Sequence, residues 1–176
     1  MSLSVDAPAG GVTGNKSLAP PVYILDGYQT TICYPPPFTG GTTNTRGNIN
    51  GTLDPMTLFV VTGEVKAIVY GVCTVALAGA TAQISIGIDT STSLFISGTL
   101  STDLVAGEVW IDNSPTEVVG VTSAQIAVLE RYITNGNNIV ENYAAANTTS
   151  GDIYYVCLWI PISNNGNVRA TSTNPN

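Results

Sequence analysis

Apolar and polar positions alternate with a period of two over short runs, and clusters of Gly, Asn, Asp, Ser and Pro interrupt them at intervals of about ten residues. The cleanest run is 81–89. There Ala82, Ile84, Ile86 and Ile88 fall on one face, and Thr81, Gln83, Ser85, Gly87 and Asp89 on the other. This pattern predicts a strand with one dry and one wet side. Residues 64–77 and 153–162 are apolar on both faces, which predicts two central strands, the first with Gly71 as a candidate bulge and the second ending at Pro161. Shorter strands are predicted at 58–62, 93–100, 108–112, 116–121, 131–134 and 138–143, with Asn135-Gly136 as a tight hairpin turn. Ser123 offers a cap for a short helix over 124–130, although the same residues also suit an extension of the neighbouring strand.

The pattern changes near residue 55. Seven of the ten prolines and eight of the eighteen glycines precede Met56, which nearly excludes regular helix there. Residues 1–55 therefore read as an extended Pro- and Gly-rich N-terminal arm, residues 56–163 as the folded body, and residues 164–176 as a polar C-terminal tail. Within the arm, 22–25 and 28–34 are apolar and β-favouring, and 39–51 reads as a loop. Many short strands with hardly any helix predict an all-β fold, an antiparallel β-sandwich of jelly-roll type. No fixed-period repeat points to a propeller or solenoid.

Composition refines this picture. Charged residues make up 10% of the chain, against about 25% in an average soluble domain, so Thr, Ser, Asn and Gly must build much of the surface. The five basic residues, Lys16, Arg46, Lys66, Arg131 and Arg169, are scattered, and the net charge is −7. Without a basic patch, nucleic acid is not an expected partner. No apolar run approaches the roughly 20 residues of a membrane span. The N-terminus lacks the basic start and apolar stretch of a secretory signal, so synthesis in a host cytoplasm is expected. Cys33, Cys73 and Cys157 show no metal-type spacing and are read as buried thiols, with a disulfide between two of them left open.

The chain contains no histidine, which removes Ser-His-Asp and Cys-His nucleophiles and most zinc sites. Paired carboxylates alone suffice for glycosidases. Glu108 and Asp112, on either side of Val109-Trp110-Ile111, are the best such pair, and they read more simply as solvated groups at strand ends. Glu141 beside Tyr143 either faces a pocket or, more simply, belongs to a solvated sheet face. The glycines at 10–14 before Lys16 lack P-loop spacing, and no EF-hand order of Asp and Asn occurs. No catalytic, cofactor-binding or metal-ligating residues are therefore assigned. The candidate partner-contact residues are Tyr23, Tyr28, Tyr34 and Phe38. Aromatic side chains in a Pro-rich arm either seat in a neighbour's pockets at small entropic cost or fold the arm back on its own domain.

The run Gly63-Glu-Val-Lys-Ala-Ile-Val-Tyr-Gly-Val-Cys-Thr-Val-Ala-Leu77, then 81–88 and 104–112, then 132–140 and 150–162, resembles small virion proteins of tailed bacteriophages in style and strand order. The resemblance covers about residues 56–163 and supplies no catalytic residues. It implies a non-enzymatic structural protein on the capsid surface of the virion, of the decoration or cement type. The implied partners are the major capsid protein and copies of the chain itself in a homotrimer. The alternative is a tail or head-fibre component that binds a host-surface glycan through exposed Trp110, Tyr143 or loop Asn and Asp residues.

Overall fold

The computed structural model describes residues 27–117, 131–133 and 137–173. Eleven strands occur among them: β1 (Gln29–Cys33), β2 (Met56–Thr62), β3 (Val65–Ala78), β4 (Gln83–Ile88), β5 (Ser91–Leu100), β6 (Glu108–Trp110), β7 (Thr116–Glu117), β8 (Arg131–Ile133), β9 (Ile139–Ala144), β10 (Ser150–Pro161) and β11 (Asn167–Ala170). One 3-10 turn, Ser101–Asp103, follows β5, and the described residues contain no α-helix. None therefore holds a helix long and apolar enough to cross a membrane. The expected helix at 124–130, the turn at Asn135-Gly136, the segment 22–25 and Tyr23 lie outside the described residues.

The strands form two antiparallel sheets. The first has the order β1-β10-β3-β6-β7, with β8 also paired to β3, and the second has the order β11-β2-β9-β4-β5. As the apolar pattern on both faces predicts, β3 and β10 are neighbours in the middle of the first sheet, paired from Ser150↔Ala78 to Pro161↔Val65. β4 turns Ile84, Ile86 and Ile88 into the core as expected, but its other face is not wet: Gly87 is buried, and Ser85 is buried too and donates to the Thr92 carbonyl at 3.0 Å. Val65, Ala67, Val69, Cys73, Tyr155 and Cys157 of the first sheet meet Leu58, Phe59, Ile84, Ile86, Ile139 and Tyr143 of the second in one core. Period two is what permits this. Every second side chain of each strand points at the opposite sheet, and burial of those side chains is the main favourable term in folding.

Three further expectations are corrected. Residues 29–55, expected as part of an arm, belong to the body: β1 is hydrogen-bonded along β10 from Gln29↔Trp159 to Cys33↔Tyr155, and Phe38 is buried in the core. Proline and glycine exclude helix there but do not prevent packing, because edge strands and irregular loops tolerate both. The tail expected from residue 164 includes β11, paired with β2 from Asn167↔Thr62 to Ala170↔Phe59. The third correction is local. Gly71 is not a bulge; it is in register with both Tyr155 and Trp110, and the irregularity of β10 lies at Ser150, Asp152 and Ile153 instead.

Gly71 is required for another reason. A Cβ there would sit 2.9 Å from Ile153 Cγ2, 3.1 Å from Tyr155 Cε1 and 3.3 Å from Trp110 Cε3. The missing side chain is the space into which the two rings lean, their centroids 6.4 Å apart. Trp110 is fully buried, and its indole N–H donates to Thr99 Oγ1 at 3.0 Å. Replacing Gly71 with Val should overpack this spot and destabilise the protein by about 1–3 kcal/mol, read as a lower urea midpoint with an unchanged slope. Gly98→Ala meets only the flexible end of Gln83 at 3.2 Å and should change stability by less than about 0.5 kcal/mol.

Candidate functional site

The four aromatic residues singled out in the sequence do not share one site. Tyr23 lies outside the described residues. Tyr28 is on the outer face of the first sheet, against Ile68, Val156 and Leu158. Tyr34, just past β1, stacks on Tyr154 at a centroid distance of 5.3 Å and is half-buried. Phe38 is 2% exposed and points into the core, so it is removed from the list of surface contacts.

What Phe38 contacts is the most concentrated chemistry in the described residues. The guanidinium of Arg46 lies 3.8 Å from the centroid of the Phe38 ring. Arg46 comes from the loop between β1 and β2 and is 1% exposed. Its Nε donates to Glu141 Oε2 at 2.8 Å and its Nη2 to Glu141 Oε1 at 3.1 Å, a bidentate pair sealed from solvent. Nη1 donates to the Pro36 carbonyl at 2.9 Å, and Nη2 also reaches the Ile153 carbonyl at 3.4 Å. Two phenols complete the carboxylate's shell: Tyr143 donates to Oε2 at 3.0 Å and Tyr155 to Oε1 at 2.5 Å. Asp152, partly exposed, adds a carboxylate 3.8 Å from Nη1.

Local sequence places each member. Glu141 sits between Ile139 and Tyr143 at alternating inward positions of β9. Tyr155 faces it from β10, in register with Gly71. The loop that carries Arg46 is held by the turn before β10: Thr148 N–H donates to the Gly47 carbonyl at 2.9 Å, and Phe38 N–H to the Gly151 carbonyl at 2.9 Å. Gly40 and Gly47 have φ of 49° and 90°, and a Cβ on either would lie 2.3 Å from the Thr148 carbonyl oxygen. Only glycine permits that approach. The solvated reading of Glu141 is thus overturned. The inward period of β9 carried the signal, whereas Arg46 stands in a loop with no periodicity to expose it.

The electrostatics follow from burial. Desolvation, the largest influence, lowers the Arg46 pKa, but the charge and hydrogen bonds of Glu141 together with the Tyr155 and Tyr143 phenols outweigh it, and the guanidinium is held above its ordinary range. Burial, and then the Glu141 charge, push both Tyr143 and Tyr155 well above the usual phenol value. With both oxygens of Glu141 engaged twice and the pair closed to water, the cluster has no open position for a substrate. It acts as a clamp between loop, β9 and β10. No buried side-chain N or O among the described residues lacks a partner, and no group of three or more potential metal ligands occurs among them.

The other candidates remain apart. Glu108 accepts the Val105 N–H at 2.9 Å and Asp112 the Ser114 N–H at 2.7 Å, each a local turn contact. Trp110 and Tyr143, considered above as exposed glycan contacts, are 0% and 4% exposed, because each fills the space between the sheets. Cys33, Cys73 and Cys157 are free and buried. No known protein family, curated protein or solved structure matches this chain.

Truncating Arg46 to Ala leaves the Glu141 carboxylate buried without its countercharge and should destabilise the fold by about 3–5 kcal/mol. The double replacement R46M/E141L should recover only part of that loss, since apolar residues of similar volume can replace a buried pair but the Tyr143 and Tyr155 hydroxyls lose their carboxylate acceptor; chemical denaturation of all three chains measures both effects. Alkaline titration gives a second test. Burial raises the Cys73 thiol from 9.0 to about 11 and lifts Cys157 further; Tyr70 rises from 10.0 to about 12, also chiefly through burial. The unfolded chain therefore releases protons first, so this stabilisation is complete below about pH 9 and falls as pH rises. The slope should approach about 1.4 kcal/mol per pH unit for each group engaged, steepening past pH 10 as Tyr143 and Tyr155 add their share. Urea midpoints from pH 8 to 11 measure it, and Y143F should flatten the upper part.

Proposed function

We propose that this protein is a non-enzymatic structural component of a phage virion, a decoration or cement protein that seats on the capsid as a homotrimer. Its contacts are with the major capsid protein and with copies of itself. The observation that carries this reading is the strand order. β1 pairs with β10, β2 with β9, β3 with β6 and β4 with β5, so that β1-β10-β3-β6 and β2-β9-β4-β5 form the two sheets. This nesting of β1 with β10, β2 with β9, β3 with β6 and β4 with β5, with β7, β8 and β11 added at its margins, supports a β-sandwich of jelly-roll type. Capsid proteins and lectins are built on that architecture.

Fold by itself does not select a function; the chemistry of the surface narrows it. The chain has few charges for its size and no concentrated basic region, which suits extended contact with other proteins better than contact with a genome. The body is tied together across its full width by the Arg46 clamp, the β1–β10 pairing and the β2–β11 pairing. A body fastened at its centre and along both sheet edges suits a component that stiffens a shell. The resemblance of residues 56–163 to small virion proteins of tailed phages agrees with that role.

Mixing the purified protein with bare phage heads and sedimenting them tests the proposal. Saturable co-sedimentation at a fixed number of copies per capsomer is expected, with a higher temperature of genome release from the loaded heads. Absence of binding at micromolar protein overturns it, and selective binding on a glycan array redirects the function to a host-recognition fibre.

A further inference from the structure

The two sheets differ in what they turn away from the shared core. The second turns Gln83 and Asn142 outward from β4 and β9, both partly exposed, alongside the buried Ser85 and Val140. The first turns out Ile32, Ile68, Tyr70, Tyr154, Val156 and Leu158, an apolar and aromatic face across three adjacent strands. Register lines them up: Ile68 faces Leu158, and Tyr70, Val156 and Ile32 lie side by side. Ile68, Leu158 and Val156 are 0%, 1% and 3% exposed, although no described strand is layered over them. Ile32, Tyr70 and Tyr154 around them remain partly exposed, and a contiguous apolar face of this kind marks a contact surface.

The described chain enters on that face. Tyr28, next to the turn at Gly27, packs against Ile68, Val156 and Leu158, and β1, which follows, is the edge strand of the same sheet. Just upstream stands Val22-Tyr23-Ile24-Leu25, apolar and β-favouring. Twenty-six residues reach up to about 90 Å when extended, whereas four strands at their usual spacing span only about 20 Å. The segment carries Asp6, Lys16 and Asp26 as its charged side chains, so little charge opposes burial beside an apolar sheet.

We propose that residues 1–26 lie across the outer face of the first sheet of their own chain, with the 22–25 run seated on Ile68, Tyr70, Val156 and Leu158. The Pro-rich segment is then a third layer of the body, and not an arm extended to a neighbour. The proposal is independent of the virion reading, because it concerns one copy of the chain in solution.

Full-length V22D/I24D, and the milder V22S/I24S, are compared with the unaltered chain by tetranitromethane nitration, resolved by residue with mass spectrometry at several protein concentrations. Tyr70 and Tyr154 should react about tenfold faster or more in the variants, as expected when a local cover is lost. Tyr155, sealed in the core, should remain slow and so report that the body is folded. If Tyr155 becomes fast in V22D/I24D, the fold itself has failed and the serine pair decides. Equal rates at Tyr70 and Tyr154 in folded variant and unaltered chain overturn the proposal. Protection in the unaltered chain that grows with protein concentration overturns it in favour of a second copy on this face.

Discussion

A guanidinium and a carboxylate enclosed between two sheets tolerate very few arrangements of the chain around them. Arg46 and Glu141 are ninety-five residues apart, and their bidentate contact holds only if the loop after β1, strand β9 and strand β10 are all in place at once. A one-residue slip of β9 would turn Glu141 outward and leave Arg46 buried without a countercharge. The pair therefore penalises wrong registers more than it stabilises the right one. The glycines at 40 and 47 and the Gly71 gap serve the same end, since they let backbone and rings approach closely enough for the network to close.

Around this fixed centre the molecule is asymmetric. One sheet turns a mixed face away from the core, with Gln83 and Asn142 partly exposed and Ser85 and Val140 buried. The other is apolar on both sides at its middle, where β3 and β10 lie together.

Much of this was legible in the residues, and the limits were physical. Two-sided apolar runs identified β3 and β10 as central strands, and alternation identified β4 and its inward face, because period two reports which side chains share a face; it did not report that Ser85 and Gly87 on the other face of β4 are buried as well. It carries no information about which strand lies beside which, so the pairing of β1 with β10 could not be read from it. Composition misled at the ends. Pro35, Pro36 and Pro37 rule out helix, but the loop they begin still delivers Phe38 and Arg46 to the core. Val168 is the one core side chain that β11 supplies, since an edge strand is held mainly by backbone hydrogen bonds that residue type does not reveal. The clamp was half visible: Glu141 alternates with Ile139 and Tyr143, whereas its partner lies in a segment with no period.

The first and last described strands lie against each other. Tyr34 N–H donates to the Ser172 carbonyl at 3.4 Å, Ser172 Oγ reaches the Tyr34 carbonyl at 2.6 Å, and Thr31 Oγ1 donates to the Val168 carbonyl at 3.2 Å, joining the β1 edge of one sheet to the β11 edge of the other. This seam sets the timetable of folding. During synthesis β1 emerges early and waits for β10, with most of the chain between them, and the seam closes only once residues 168–172 have left the ribosome. Pairings of such long sequence separation fold slowly. In the interval β1 is an unpaired strand, at the stage of the molecule's life when association with other chains is easiest.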